Sequence, residues 1–547
     1  EVHERFSAST RLRVGSKTSI QSRQFFGIDK NHFAVELAKV TLMLGEKLAQ
    51  AEPGLAVDHP LPLANLDGNI RCADALLCDW PAADVIVGNP PFQSKNKMLR
   101  EFGPEYVAQV RARYPQVPGR ADYCVYWFRR THDALQSGAR AGLVGTNTVR
   151  ENYSREGALD YIVANGGTIA EAVSTMVWPG EAVVHVSIVN WVKGPRDGPK
   201  KLSWQAGDAR NSPWKTVTLP RIPASLSASR DVTGARTLLA NAASGACYQG
   251  QTHGHEKFLL TADEARALRA DGRAREVVHP YLVGEDLVGN LGSAPSRWVI
   301  DLNHCADLAA ARSHGAAFDR LRALVQPDIQ AAAERERAAT GSASGPRQSH
   351  AERWWRHWRG RGELFERLVG LGRYIACSRV TRRPIFEFVS VAIHPNDALS
   401  VFPLEDDYSF GVLQSGLHWA WFRARCSTMK GDWRYTSNTV FDSFPWPQSA
   451  DAGQVATVAR EASALRALRL DLAARRELTL RAMYAALETP DMRPLKAAHA
   501  ALYAAVCSAY GVDPREDALA FLLDLNAACA GREDAAQPVI GPGLPPG

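Results

Sequence analysis

"DVIVGNPPFQ", residues Asp84 to Gln93, sets a short apolar run directly against an asparagine and two prolines. Val85, Ile86 and Val87 have the composition of a buried strand in a parallel sheet. Neither proline has a backbone N–H to donate to a ladder, so the strand must stop there. Asn89, Pro90, Pro91 and Phe92 are therefore expected at its carboxyl end, where open α/β sheets bind their ligands.

Working outward, "QFFGID" (24–29), "NIRCADAL" (69–76), "ADVIVG" (83–88) and "RAGLVGTN" (140–147) read as strands, with helical spacing in "HFAVELAKVTLMLGEKLAQ" and "ADYCVYWFRRTHDALQSG" between them. This alternation predicts an α/β fold with a parallel, doubly wound sheet. The turn-forming stretch "KGPRDGPKK" (193–201) marks a boundary. The expected division is an α/β domain over 1–195, a mixed α/β region over 196–450, a helical region over 451–530 and a disordered tail over 531–547.

Composition bounds the function classes. The chain has 547 residues, 46% hydrophobic and 22% charged, ordinary for two or three domains. A net charge of +6 is compatible with a polyanionic partner. Nine cysteines without a CxxC pair indicate neither a zinc site nor a disulfide framework. No metal is expected, and a reducing cytoplasm fits. No apolar run has the length of a membrane span and no signal peptide is visible.

Asp29 and Asp74 each follow a strand-like run. A carboxylate there can accept hydrogen bonds from ribose hydroxyls or an adenine amino group, or it can cap the next helix. Two such acids ahead of N-P-P-F point to a nucleoside cofactor. Asn89 supplies the matching chemistry. An exocyclic amino nitrogen on a base is a poor nucleophile because its lone pair is delocalised. Accepting its hydrogens at the Asn89 side-chain oxygen and the Pro90 carbonyl shifts that nitrogen towards sp3, ready for attack on a methyl sulfonium. Phe92 can stack on the base.

These motifs resemble the gamma-class DNA adenine-N6 methyltransferases, and in particular the methyltransferase and target-recognition portion of MmeI-like restriction-modification enzymes. "FFGIDKNHFAVELAKVTLML", "PLANLDGNIRCADAL" and "VGNPPF" are similar to the second, third and fourth motifs of that family, and "ADYCVYWFRRTHDALQSGARAGLVGTNT" to the fifth and sixth. The resemblance implies a Rossmann-like fold, S-adenosylmethionine as cofactor and double-stranded DNA as partner. It places cofactor contacts at Ile28, Asp29, Asp74, Ala75, Asp122 and Tyr123. "VSTMVWPGEAVVHVSIVNW" is similar to the eighth motif, so Trp178 inherits stacking on a flipped adenine, with core packing as the alternative. Family members carry a Gly-rich first motif upstream of the second. Nothing before Asp29 matches it, and "LVGEDLVGNLG" (282–292) follows no convincing strand. With Glu1 in place of methionine, the expectation is a chain cut or miscalled at its N-terminus, binding the cofactor weakly. A nuclease domain or subunit upstream is a further expected partner.

The stretch 347–384 holds ten arginines against three glutamates, interleaved with Trp354, Trp355, Trp358 and Tyr374. Arg353, Arg356, Arg359, Arg382 and Arg383 are read as DNA-phosphate contacts, and the tryptophans as core. This region resembles the family's target-recognition domain. Its close, Asp432 to Pro447, is expected to pack on the scaffold, leaving Arg434 and Tyr435 structural as readily as functional. The rival readings are an inactive DNA-specificity module, or a protein-glutamine or RNA methyltransferase that also uses an N-P-P motif.

Overall fold

The computed structural model describes residues 22–50, 65–179, 184–207, 209–227, 232, 234–341, 344–429 and 432–546. Residues 1–21, where a Gly-rich first motif was sought, lie outside them. The chain divides into two units, with the boundary between residues 228 and 229.

The first unit carries β1 (Gly27–Asp29), α1 (His32–Gln50), β2 (Ile70–Cys72), β3 (Val85–Gly88), α2 (Lys95–Arg113), α3 (Val125–Ala134), β4 (Arg140–Thr146), β5 (Gly167–Val177), β6 (His185–Lys193), β7 (Lys200–Gln205) and β8 (Trp214–Leu219). The four strands read from sequence are all present. β1 and β2 form a parallel pair, and the other six form one sheet in the order β3-β4-β6-β5-β7-β8. That sheet is mixed rather than parallel. β3–β4 and β5–β7 are parallel, whereas β4–β6, β5–β6 and β7–β8 are antiparallel. The link from β5 to β6 is too short for a crossover, so those neighbours must run in opposite directions.

Three expectations need correction. Among the described residues β3 pairs with β4 alone, and Val85 and Val87 are 58% and 77% exposed, so within them this apolar run lies at the sheet edge and is not buried. An apolar run marks a strand without telling how many neighbours it has. Second, the sheet runs through the expected boundary at residue 195. "KGPRDGPKK" is an internal turn, closed where the buried Lys200 Nζ donates to the carbonyls of Arg196 (2.7 Å) and Gly198 (2.5 Å). Third, "LVGEDLVGNLG" does follow a strand, Val278–Leu282, and turns helical over Gly284–Gly289.

The core of the first unit lies between the sheet and the helices. Leu76, Tyr114, Phe128, Leu143, Trp191 and Leu202 belong to it, and Phe128 stacks on Trp191 with centroids 5.9 Å apart. Gly145 makes that contact possible, since a Cβ there would lie 2.9 Å from the Phe128 ring.

In the second unit β9 (Tyr248–Gln249), β10 (Leu259–Leu260), β11 (Val278–Leu282), β12 (Arg297–Ile300), β13 (Arg373–Ser378), β14 (Glu387–Ser390), β15 (His394–Pro395) and β16 (Leu399–Phe402) form two four-stranded sheets. Their orders are β10-β12-β11-β15 and β14-β13-β16-β9. The helices α4 (Ala316–Leu324), α5 (Gly416–Arg425), α6 (Ala452–Arg476), α7 (Arg493–Tyr510) and α8 (Ala518–Asp534) follow in chain order. Ile375, Phe402, Trp421, Trp446, Val458, Leu502 and Leu522 share one core, so the C-terminal helices complete the second unit instead of standing apart. The expected tail is laid down as well. α8 extends to Asp534, Val539 packs beside Leu238, and the Gln448 side chain exchanges two hydrogen bonds with the Ile540 backbone.

Candidate active site

β3 ends at Gly88, and the prolines that stop it leave Asn89 exposed while Pro90 turns inward. The Asn89 amide forms no hydrogen bond to another described residue. Phe92, partly buried, meets the ring of Trp178 edge-on, with centroids 5.5 Å apart at 89°. Trp178 follows β5 and is anchored by its N–H to the Val184 carbonyl. Two segments far apart in sequence thus bring two aromatic rings together, one of them in the turn that carries the exposed Asn89.

A chain of contacts ties this tip to the ends of β1, β2 and β4. Asp29, at the end of β1, accepts the Asn31 N–H at Oδ1 (2.7 Å), and Asn31 in turn caps α1 by accepting from Phe33 and Ala34. Asp29 is exposed, and its second oxygen is uncommitted among the described residues. Asp74 is more heavily engaged. Its Oδ1 accepts the Leu76 N–H, and its Oδ2 lies 2.6 Å from Lys30 Nζ. Burial raises the Asp74 carboxyl, but Lys30 and the Tyr106 hydroxyl outweigh it and hold the group below its ordinary range. Both acids therefore brace their own turns, and Asp29 alone keeps a free oxygen.

Lys30 also lies over the Tyr106 ring, 4.1 Å from its centroid. The Tyr106 and Tyr123 hydroxyls are 2.5 Å apart, and burial pushes the Tyr123 phenol up to about 12. The Tyr123 N–H donates to the Gln93 carbonyl directly after N-P-P-F. Its neighbour Asp122 accepts from the Thr146 and Thr148 hydroxyls at 3.0 and 2.7 Å, at the tip of β4. Asp29, Asp74, Asp122, Tyr123 and the N-P-P-F turn, all singled out in sequence, belong to one connected set of strand tips, with Ile28 and Ala75 beside their acids. Lys30, Tyr106, Thr146 and Thr148 were missed. Ordinary helix and strand-end residues give no local signal of such pairing.

In the second unit the five arginines separate. Arg353, Arg359 and Arg382 are exposed. Arg356 donates to the carbonyls of Cys305 and Ala306, and the Arg383 guanidinium lies over the rings of Trp419 and Tyr484. Those two are engaged in packing, which an arginine-rich sequence cannot show. Trp354 and Trp355 are buried, as expected, and Tyr374 is buried too, whereas Trp358, also read as core, is 37% exposed. Tyr435 is core, stacked on Phe422 with its hydroxyl 3.0 Å from His418 Nε2.

An α/β unit whose strand tips gather acids, a tyrosine and an N-P-P-F turn has the organisation of a methyltransferase. Residues 2–202 match the family model described as the MmeI DNA-methyltransferase domain, and residues 381–448 that of the MmeI target recognition domain. Both models describe domains of MmeI, so the chain resembles the MmeI-like restriction-modification enzymes. It is 26% identical over 191 residues to DNA methyltransferase A of Bacillus subtilis (strain 168), covering 32% of this chain and only 21% of that relative's length. Its fold is that of the type IIL enzyme MmeI solved in complex with DNA, at a TM-score of 0.71 and 20% identity, over 94% of this chain and 67% of the other.

Proposed function

We propose that the chain is the methyl-transferring and DNA-reading part of a site-specific methyltransferase, acting on adenine N6 in duplex DNA with S-adenosylmethionine as donor. The observation that supports this most directly is the exposed Asn89 in the same turn as Phe92, whose ring pairs with that of Trp178. The Asn89 oxygen and the Pro90 carbonyl accept the two amino hydrogens, and the prolines keep those acceptors rigid while charge develops. Phe92 and Trp178 receive the flipped base. No covalent nucleophile on the protein is needed.

The tip residues fit the nucleoside end of the cofactor. Asp29 has an uncommitted carboxylate oxygen beside Ile28, and Asp122 and Tyr123 line the same connected set. S-adenosylmethionine supplies an electrophilic methyl group when bound. Asp74, with Ala75, can accept from the adenine amino group only if Lys30 yields its place. DNA is the partner read by the second unit, with Arg353, Arg359 and Arg382 available to phosphates. A nuclease upstream or on a separate subunit is the further partner that restriction calls for. A cytoplasmic site suits nine free cysteines; no described helix is long and apolar enough to cross a membrane.

One observation favours a second reading, a DNA-specificity module without transfer: Lys30 occupies Asp74. Duplex DNA incubated with the protein and labelled S-adenosylmethionine, then digested to nucleosides, decides between them. The first reading expects N6-methyladenine, abolished by Asn89→Ala with DNA affinity near normal. Methylated cytosine, or equal transfer by variant and parent, overturns the assignment. DNA bound without transfer supports the second.

A further inference from the structure

One cluster of metal-ligating side chains lies in the second unit, in a different unit from the strand tips. The ligand atoms of His304, Cys305 and His314 all lie within 4.8 Å of one another. His304 and Cys305 sit in the turn after β12, and His314 in the loop ahead of α4. No CxxC pair announces the group; a His-Cys pair and a histidine nine residues on meet only in the fold.

We propose that His304 Nε2, Cys305 Sγ and His314 Nε2 bind a zinc ion that clips the turn after β12 to the loop ahead of α4. Three geometric observations carry this. Cys305 Sγ lies 3.7 Å from His304 Nε2. In a tetrahedral zinc site, with Zn–S about 2.3 Å and Zn–N about 2.0 Å, the sulfur–nitrogen edge comes to about 3.5 Å. The His304 and His314 rings stand at 79° with centroids 5.5 Å apart, so that both can turn a nitrogen towards one point. His314 Nδ1 lies 3.0 Å from the Arg273 carbonyl; donating its proton there leaves the Nε2 lone pair for a metal. That is the outer-shell arrangement in which ligating histidines are held.

The chemistry selects the ion. One thiolate and two imidazoles suit zinc and disfavour magnesium, calcium or manganese, which want oxygen. Cys305 is 3% exposed, and Arg356 fixes its turn through two backbone carbonyls. Binding exchanges the Cys305 proton for zinc and releases that proton to solvent. Three protein ligands leave a fourth position for water.

The test uses the full chain stripped with a chelator and titrated with cobalt(II), then with zinc(II) in competition. A thiolate-to-cobalt charge-transfer band in the near ultraviolet, displaced by zinc, is the expected result. Cys305→Ser should remove the band, and His314→Gln should weaken zinc binding by about tenfold or more. Saturating zinc should raise the melting temperature of the parent and not of these variants. His304→Gln, at an exposed position, gives the same readout should the Cys305 variant fail to fold. Absence of the charge-transfer band in the parent, or unchanged zinc affinity in His304→Gln, overturns the proposal.

Discussion

Asn89 shares a turn with Phe92 and Trp178 meets the Phe92 ring, yet their loss should be felt at different steps. Removing the Asn89 carboxamide removes acceptors used as charge develops, so kcat falls while binding persists. Trp178 offers a face to a base, and stacking of that kind is worth about 1–3 kcal/mol. Trp178→Ala should therefore weaken target-duplex affinity roughly 5- to 150-fold and leave cofactor affinity near normal, whereas Trp178→Phe keeps most activity. Fluorescence of a duplex carrying 2-aminopurine at the target base reports the first effect, and calorimetry with S-adenosylmethionine the second. An alanine variant that loses both together with several degrees of melting temperature would show that Trp178 serves packing instead.

At the level of elements, the arginine-rich stretch separates into two kinds of side chain that sequence cannot distinguish. Changing the exposed Arg353, Arg359 and Arg382 together to glutamine should weaken DNA binding. The salt dependence should also flatten, by about 0.9 in log–log slope for each phosphate no longer neutralised. Arg356→Ala and Arg383→Ala should instead lower stability, since one holds a turn through its carbonyls and the other covers Trp419 and Tyr484. Anisotropy titrations at several salt concentrations, with melting curves beside them, check both halves. A stable Arg383→Ala variant with impaired DNA affinity would reverse this division. The same limit of local information explains what was legible elsewhere. β1 to β4 were found because each joins an apolar run to a turn former, and the N-P-P-F tip because prolines end ladders. The edge position of β3 among the described strands was hidden, since Val85 and Val87 look alike in a central and an edge strand. So was the Lys30–Asp74–Tyr106 linkage, which joins three segments through side chains with no sequence period. α1 shows the limit from another side: Phe33, Leu37, Val40, Leu44 and Leu48 form an apolar helical stripe, and all five are exposed. An apolar stripe of that size predicts binding of a hydrophobic dye, reduced when Leu37 and Leu44 are replaced by lysine.

Across the whole molecule the two units have separate cores, and their buried titratable groups differ in kind. In the second unit Asp301 is buried with His394 Nδ1 at 3.0 Å and Gln251 Nε2 at 2.6 Å, and His279 stacks on His394 at 3.9 Å. Burial alone would raise the Asp301 carboxyl; the neighbouring His357 and the bonds from His394 and Gln251 reverse this and hold it far below the usual range. Burial depresses His279 to about 4, and His418 and His499 to about 3. The unfolded chain protonates these histidines from about pH 6.5 downward while the folded unit does not, so stability falls as pH falls through that window. For His279 alone the loss reaches about 2 kcal/mol by about pH 5. Asp301 adds a further loss below about pH 4, where the unfolded carboxyl takes up its proton. In the first unit burial depresses His132. Acidification from about pH 7.5 to about pH 5 should thus speed hydrogen exchange in peptides of the second unit well before those of the first, and His279→Gln should flatten that pH dependence. Mass-spectrometric exchange mapped by peptide measures it directly. Equal acid sensitivity in both units would remove the buried histidines as its cause.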